Sequence, residues 1–253
     1  TTDAGGTVAI NGGVVNTTGA QSYGEAATLG TTTTLTSTGS GDITFGSTLN
    51  GAQTLAVNTS GATTFIGAVG GTAALTSLTT DDAGAGKTYV NGGLVQTVTF
   101  QNFNDPVVVG TVATEFSSTG DLANNVAAGN ITFNSTVDGA KTLTVNTAGN
   151  TTFNGRVGNT TALMSLTTDA AGTTNVNGLS VKTIAAQTYN DDVVVGANAV
   201  FSSVGDAVAV PAVPAGNIVF SKTLTGAFNV DVNTAANTLF NDNVNIAQLT
   251  TDA

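Results

Sequence analysis

The sequence predicts an all-β fold, a parallel β-helix (β-solenoid) of about twelve coils that runs through residues 1–253 as a single domain. Three observations carry that expectation. The stretch 41–81, GDITFGSTLNGAQTLAVNTSGATTFIGAVGGTAALTSLTTD, recurs at 129–169 as GNITFNSTVDGAKTLTVNTAGNTTFNGRVGNTTALMSLTTD and, worn, at 216–252 as GNIVFSKTLTGAFNVDVNTAANTLFNDNVNIAQLTTD. Between the repeats the texture is one of short runs of Thr, Val, Ile and Phe punctuated by Gly, Asn and Asp, with no apolar residues at helical spacing. The runs are also shorter than matched hairpin strands, and like residues return at like phase, as neighbour-on-neighbour stacking requires.

Taken in order, the marker Thr-Thr-Asp stands at residues 1–3, 79–81, 167–169 and 250–252. It divides the chain into repeats 1–78, 79–166 and 167–249, with the last residues opening a fourth. Each repeat begins with a turn and a short strand: AGGTVAINGG at 4, AGKTYVNGG at 85, AGTTNVNGL at 171. A second marker follows: QSYGEAATLG at 21, QNFNDPVVVG at 101, QTYNDDVVVG at 187. Next comes a variable stretch, 37–43 in the first repeat, 118–131 in the second and 203–218 in the third. Insertions confined to one position predict loops leaving one face of the scaffold. Strands are expected over 43–45, 54–57, 63–66, 75–79, 88–90, 96–100 and 107–109. A coil of roughly 20–22 residues gives about four coils per repeat and a rod on the order of 55–60 Å. Phe45, Phe133 and Phe220, Phe65, Phe153 and Phe240, and the Asn-Thr pairs at Asn58, Asn146 and Asn233 are expected to form stacking ladders.

Composition narrows the function. Charged residues are 8% and hydrophobic ones 40%, so the interior is packed but built from small side chains. The net charge is −11, and the basic residues Lys87, Lys141, Arg156, Lys182 and Lys222 are scattered, which argues against nucleic acid. With no Cys and no His, thiolate or zinc chemistry and the usual nucleophilic triads are excluded. No apolar run is long enough to span a membrane as a helix. The start at Thr1, without Met or a leader, leads to the expectation of a processed chain or an excerpt.

The stretches GDITFGSTLNGAQTLAVNT, TTFIGAVGGTAALTSLTTD and INGGVVNTTGAQSYGEA resemble the repetitive β-helical regions of filamentous-haemagglutinin-type exoproteins and other giant repetitive bacterial surface proteins. The resemblance covers all 253 residues as texture and repeat. It implies a right-handed coil, export to the cell surface or extracellular space, and a role as adhesin shaft or filament. It transfers no catalytic residue and no cofactor.

Candidate chemistry is sparse. Gly86-Lys87-Thr88 is a fragment of a phosphate loop, but Asp81 stands where that loop needs its first Gly, and a β-like run follows instead of a helix. The pairs Asp81-Asp82 and Asp191-Asp192, with Asp105 near the equivalent of the latter, are candidate weak calcium sites, weighed against solvated turn residues. Glu25, Asp105 and Asp191 occupy equivalent segments and are the carboxylates a glycan-cleaving groove would use. Threonine rows such as 31–34 suit either an ordered binding face or plain strand propensity. The loop 206–215, with Pro211 and Pro214, is the most distinctive exposed feature.

These readings lead to an expected function: a non-enzymatic structural shaft segment of an adhesin or surface filament, with no metal or cofactor. Its partners would be flanking repeats of the same chain, or copies stacked end to end, since neither end carries a visible polar cap. The alternative is a glycan-binding or glycan-cleaving β-helix whose partner is a host or surface glycan.

Overall fold

A computed structural model describes residues 1–81 and 86–252. It is all-β, 50% strand and 1% helix, wound as a β-solenoid of about eleven turns. Strands pair in parallel with the strand one coil on. Three faces run the length of the rod. The first begins with Thr7–Ile10, Ala26–Leu29 and Leu49–Asn50, continues through the bridging residue Val69, and ends with seven strands from Leu94–Thr97 to Thr238–Phe240. The second is one 11-stranded sheet from Val14–Thr17 to Val244–Asn245. The third runs from Gln21–Tyr23 to Val137–Asp138, crosses Val157, and continues from Ser180–Thr183 to Gln248–Thr251.

The count is eleven coils and not twelve because the average coil is longer than the sequence estimate: Val15 and Val244, on the same face, are ten steps and 229 residues apart. Leu55 pairs with Leu78 and Leu78 with Gln101, steps of 23 residues, while Val14 pairs with Thr34, a step of 20. Steps of about 30 occur only where a corner loop is inserted, as from Gln101 to Ile131. The expected strands at 43–45, 88–90 and 107–109 are found as such. The expected strand 96–100 is not. Leu94–Thr97 stops before the corner, and Gln101–Phe103 is a separate strand on the next face. The Thr-Val alternation runs straight across that corner, which Thr99 forms by donating its hydroxyl to the Thr76 carbonyl at 2.6 Å.

Alternation at period two decides what is inside. In Ile43–Phe45, Gln101–Phe103 and Ile131–Phe133 the outer two residues are buried and the middle one is half-exposed. The aromatic rows this creates run within each repeat, not between repeats. Tyr23, Phe45 and Phe65 stack with centroids 5.1 and 5.5 Å apart. Phe103, Phe133 and Phe153 do so at 5.4 and 5.2 Å, and Tyr189, Phe220 and Phe240 at 5.1 and 5.3 Å. The expectation that Phe45, Phe133 and Phe220 stack on one another is therefore corrected. They lie on the third, second and first faces. The Asn-Thr positions do not form a ladder either: Asn58 sits beside Thr36, and Asn146 beside Ser117. An asparagine ladder exists elsewhere, at the corner after the Phe row. Asn134 donates to Asn104 at 2.6 Å, Asn154 to Asn134 at 2.7 Å and Asn177 to Asn154 at 2.8 Å.

The reason is arithmetic. The equivalent strands Thr54–Thr59, Thr142–Thr147 and Asn229–Thr234 fall on the second, first and third faces. Counting Val69 and Val157 as strand positions, a repeat holds eleven positions on a three-faced coil, or three and two-thirds turns. Each repeat is thus rotated by a third of a turn from the last. At about 4.8 Å per coil, the three repeats close one full rotation over a rod of roughly 53 Å.

Buried polar groups tie the coils together. Gln187 is fully buried, and its side-chain amide donates to the Val181 carbonyl, the Thr183 hydroxyl and the Ser202 carbonyl at 3.2, 3.3 and 2.8 Å. Its Oε1 accepts from the Tyr189 hydroxyl at 3.0 Å. Gln21 and Tyr23 repeat this arrangement. In the second repeat Phe103 stands in the tyrosine's place, and the Oε1 of Gln101 has no hydrogen-bond partner. Phe103→Tyr is expected to restore the bond and stabilise the chain by about 1 kcal/mol, and Tyr189→Phe to cost about 1–3 kcal/mol. Paired thermal unfolding curves would check both; two shifts of the same sign would refute the pairing.

Candidate functional site: corner carboxylates and corner loops

The inserted loops all leave from the same kind of joint. In each repeat a serine at the strand end accepts from the amide of the glycine that reopens the chain: Gly41 to Ser37 at 2.9 Å, Gly129 to Ser118 at 2.8 Å, Gly216 to Ser203 at 2.7 Å. From the next coil, Thr59, Thr147 and Thr234 donate to the carbonyls of the same glycines at 2.7, 2.6 and 2.8 Å. The clamp is indifferent to what it encloses, a separation of 4, 11 or 13 residues. The second-repeat loop folds over a bridge between Asp121 and Val126 and carries a single 3-10 turn, Leu122–Asn124. The third-repeat loop, which contains 206–215, is pinched by a bridge between Asp206 and Val213.

Sequence reasoning places these loops on one face; the structure puts them on three corners. The first lies between the second and third faces, the next between the first and second, and the last between the third and first. The one-third turn per repeat requires it. The tips of the two longer loops are apolar and open to solvent: Leu122 is 93% exposed, Val208 89% and Val210 99%.

The candidate carboxylates follow the same rotation. Asp105 sits between the second and third faces, Asp191 between the first and second, and Glu25 between the third and first, so the three share no groove. Asp105 and Asp191 are not solvated turn residues, for each is 1% exposed. Asp191 accepts from the Thr168 hydroxyl at 2.7 Å and from the Thr174 hydroxyl at 2.8 Å. Burial pushes its carboxyl above the usual range, and the two threonine hydroxyls pull it part of the way back. Burial first, then the Asp191 charge, holds the Tyr189 hydroxyl well above the ordinary tyrosine value. Asp105 faces the equivalent Thr88 hydroxyl at 3.5 Å. Glu25 turns outward instead and shares a hydrogen bond with Asp3, which with burial and the Asp3 charge raises it.

Asp192 points away from Asp191, as neighbours at the start of a strand must. It accepts from the Thr223 hydroxyl and amide, bonds that lower its pKa, with a smaller contribution from the Lys222 charge. Lys222 also donates to the Ala170 carbonyl at 2.7 Å and lies close to Asp169, whose carboxyl burial raises. Asp81 accepts from the Thr59 amide at 2.9 Å, and Asp82 lies outside the described residues. Among the described residues, no cluster of three or more His, Cys, Asp or Glu is placed to hold a metal ion. Lys87 precedes the strand Thr88–Val90 directly, and the middle residue Tyr89 lines a shallow depression with Pro106, Val108 and Asp138. The exposed aromatics Phe100 and Phe228 and the partly exposed Phe240 lie elsewhere on the rod.

These features define a class: a three-faced parallel β-solenoid with an apolar core, whose buried polar groups join coil to coil. Comparison with protein-family models, with curated proteins and with solved structures finds no match.

Proposed function

We propose that the chain is a non-enzymatic structural shaft of an extracellular or cell-surface adhesin or filament, a stiff rod that carries short loops outward. The observation that carries this reading is the fate of its polar chemistry. The conspicuous inward groups, Gln21, Gln101, Gln187, Asp191 and the clamp serines, are spent on neighbouring coils in each repeat instead of converging on one cleft. The largest differences in length between repeats fall in loops whose bases the serine–threonine clamp isolates from the coil. A shaft needs that combination, because the scaffold stays constant while what it displays changes.

Antibodies raised against 119–128 and 204–215 test the placement. They should label intact cells of the producing organism, and labelling only after lysis would refute a surface role. A polysaccharide panel tests the chemistry. No bond cleavage is expected; turnover abolished by Asp191→Asn in a folded chain would replace the shaft with an enzyme.

A further inference from the structure

Along the chain the five basic residues are scattered, but the coil gathers three of them on the third face. Lys87 and Tyr89 flank the buried Thr88, so both point outward. Register steps from Thr88 to Val107, Val137 and Val157 carry the row that begins with Lys87 through Pro106 and Thr136 to Arg156. One further step, to Val181, brings in the outward Lys182. Lys87 and Arg156 are exposed and Lys182 is half-buried. At about 4.8 Å per coil, the backbone positions of Lys87 and Arg156 lie about 14 Å apart. Among the described residues none of the three donates a side-chain hydrogen bond, whereas Lys222 is committed to the Ala170 carbonyl at 2.7 Å.

Over these coils the outward third face carries, among the described residues, three cations against one carboxylate, Asp138. The stretch is therefore positive on a chain whose net charge is −11. Asp138 is itself engaged, its Oδ1 accepting from the amides of Thr160 and Thr161 at 2.8 and 3.1 Å. In its row Tyr89 neighbours Val108, and Val108 neighbours Asp138. With Lys87, Pro106 and Thr136 these residues line a concavity of about 310 Å³. The cations and the ring are all departures from the repeat. Lys87 stands where the other repeats have Thr7 and Thr173, and Tyr89 where they have Ala9 and Asn175. Arg156 replaces Ala68 and Asn243, and Lys182 replaces Asn16 and Gln96. The departures meet because the one-third turn per repeat brings unlike positions of the second and third repeats onto one face.

We propose that this stretch of the third face binds an acidic polysaccharide, a chain of uronic acid rings laid along the rod. The half-exposed Tyr89 offers an apolar ring for the C–H face of a pyranose and a hydroxyl for its polar rim. Lys87 and Arg156 stand where successive carboxylates of the polymer pass, and Thr136 between them faces the sugar hydroxyls. The spacing of the cations argues against nucleic acid. A duplex carries one negative charge per about 1.7 Å of axis, and cations about 14 Å apart would leave most of those charges unneutralised. On a chain that otherwise repels polyanions, the positive stretch also fixes where such a polymer approaches. The surface lies on the wall of the rod and not in its loops, so it goes beyond the shaft reading, and its loss would leave that reading standing.

Calorimetric titration of the full chain with polygalacturonate at low ionic strength tests this, with circular dichroism confirming an intact coil in every variant. Binding without cleavage is expected, and it should weaken as salt is added. Lys87→Ala and Arg156→Ala should each weaken it about two- to fivefold, and Tyr89→Ala about two- to tenfold. Lys222→Ala, on the corner between the first and second faces, should change nothing. Asp138→Asn should tighten binding about two- to fivefold. That change keeps the coil, because Asn50 holds the same place in the first repeat and accepts from the amides of Thr72 and Ala73 at 2.9 and 3.2 Å. Absence of binding overturns the proposal, as does equal binding of the fully methyl-esterified polymer or an equal loss in Lys222→Ala. Tighter binding of single-stranded DNA, or weaker binding by Asp138→Asn, overturns it too. None of these outcomes alters the surface labelling that decides the shaft reading, so the two stand or fall separately.

Discussion

Phe133→Ala is expected to destabilise the rod by about 3–5 kcal/mol, the range for removing a buried aromatic from a core that cannot fully collapse. Phe133 is the hub of the middle repeat. It is fully buried, stacks on Phe103 at 5.4 Å and on Phe153 at 5.2 Å, and takes the edge of Phe116 at 5.1 Å. The coil spacing is held by ladder hydrogen bonds on every face, so the neighbouring rings cannot close the gap without breaking them. Phe240→Ala is the internal comparison. That ring stacks on Phe220 alone, at 5.3 Å, and is already partly exposed, so its removal should cost less than half as much. Urea unfolding of the two variants checks the order. Equal losses would mean that stability is not summed over neighbouring coils. A second, separate transition in Phe133→Ala would show the rod dividing at its middle repeat.

How much of this could be read without coordinates depends on whether a feature is local or rotational. The strands at 43–45, 88–90 and 107–109 were legible because alternation and flanking Gly or Asn are local signals. The break after Thr97 was hidden, since a corner made by a threonine hydroxyl leaves no Gly or Pro to mark it. Repeat comparison identified the loops and the Glu25, Asp105 and Asp191 set as equivalent, but equivalence along the chain was mistaken for proximity on one face. A repeat of eleven strand positions on a three-faced coil separates equivalent residues by a third of a turn, and nothing in the residues themselves announces three faces. The clamp glutamines carried a visible signal, a Gln heading QSY, QNF and QTY after a V-x-T run, which becomes interpretable only once a neighbouring coil supplies the carbonyls.

Gly139→Ala is expected to cost on the order of 3 kcal/mol or more, and it tests the coil's geometry directly. Gly139 turns the chain out of Val137–Asp138 at φ 131°, a conformation that side chains strongly disfavour. A methyl group there would lie 2.1 Å from the Val109 carbonyl oxygen of the adjacent coil. That oxygen belongs to the last residue of the strand Val107–Val109, which is held in register beside Thr88–Val90, so it moves aside only by displacing the strand end. Gly19→Ala is the control: nothing lies within 4 Å of its added methyl, and the change should be neutral or slightly stabilising. Gly51 and Gly226 make the same turn in the outer repeats, at φ 123° and 145°, each with a carbonyl 2.4 Å from the added methyl. They leave the first and second faces, whereas Gly139 leaves the third. If the three repeats are one structure rotated by thirds, Gly51→Ala should match Gly139→Ala. Gly226→Ala, whose turn leaves the second face, should cost as much again. Thermal unfolding of the three variants would check this, and a Gly51→Ala loss far from that of Gly139→Ala would count against the rotation.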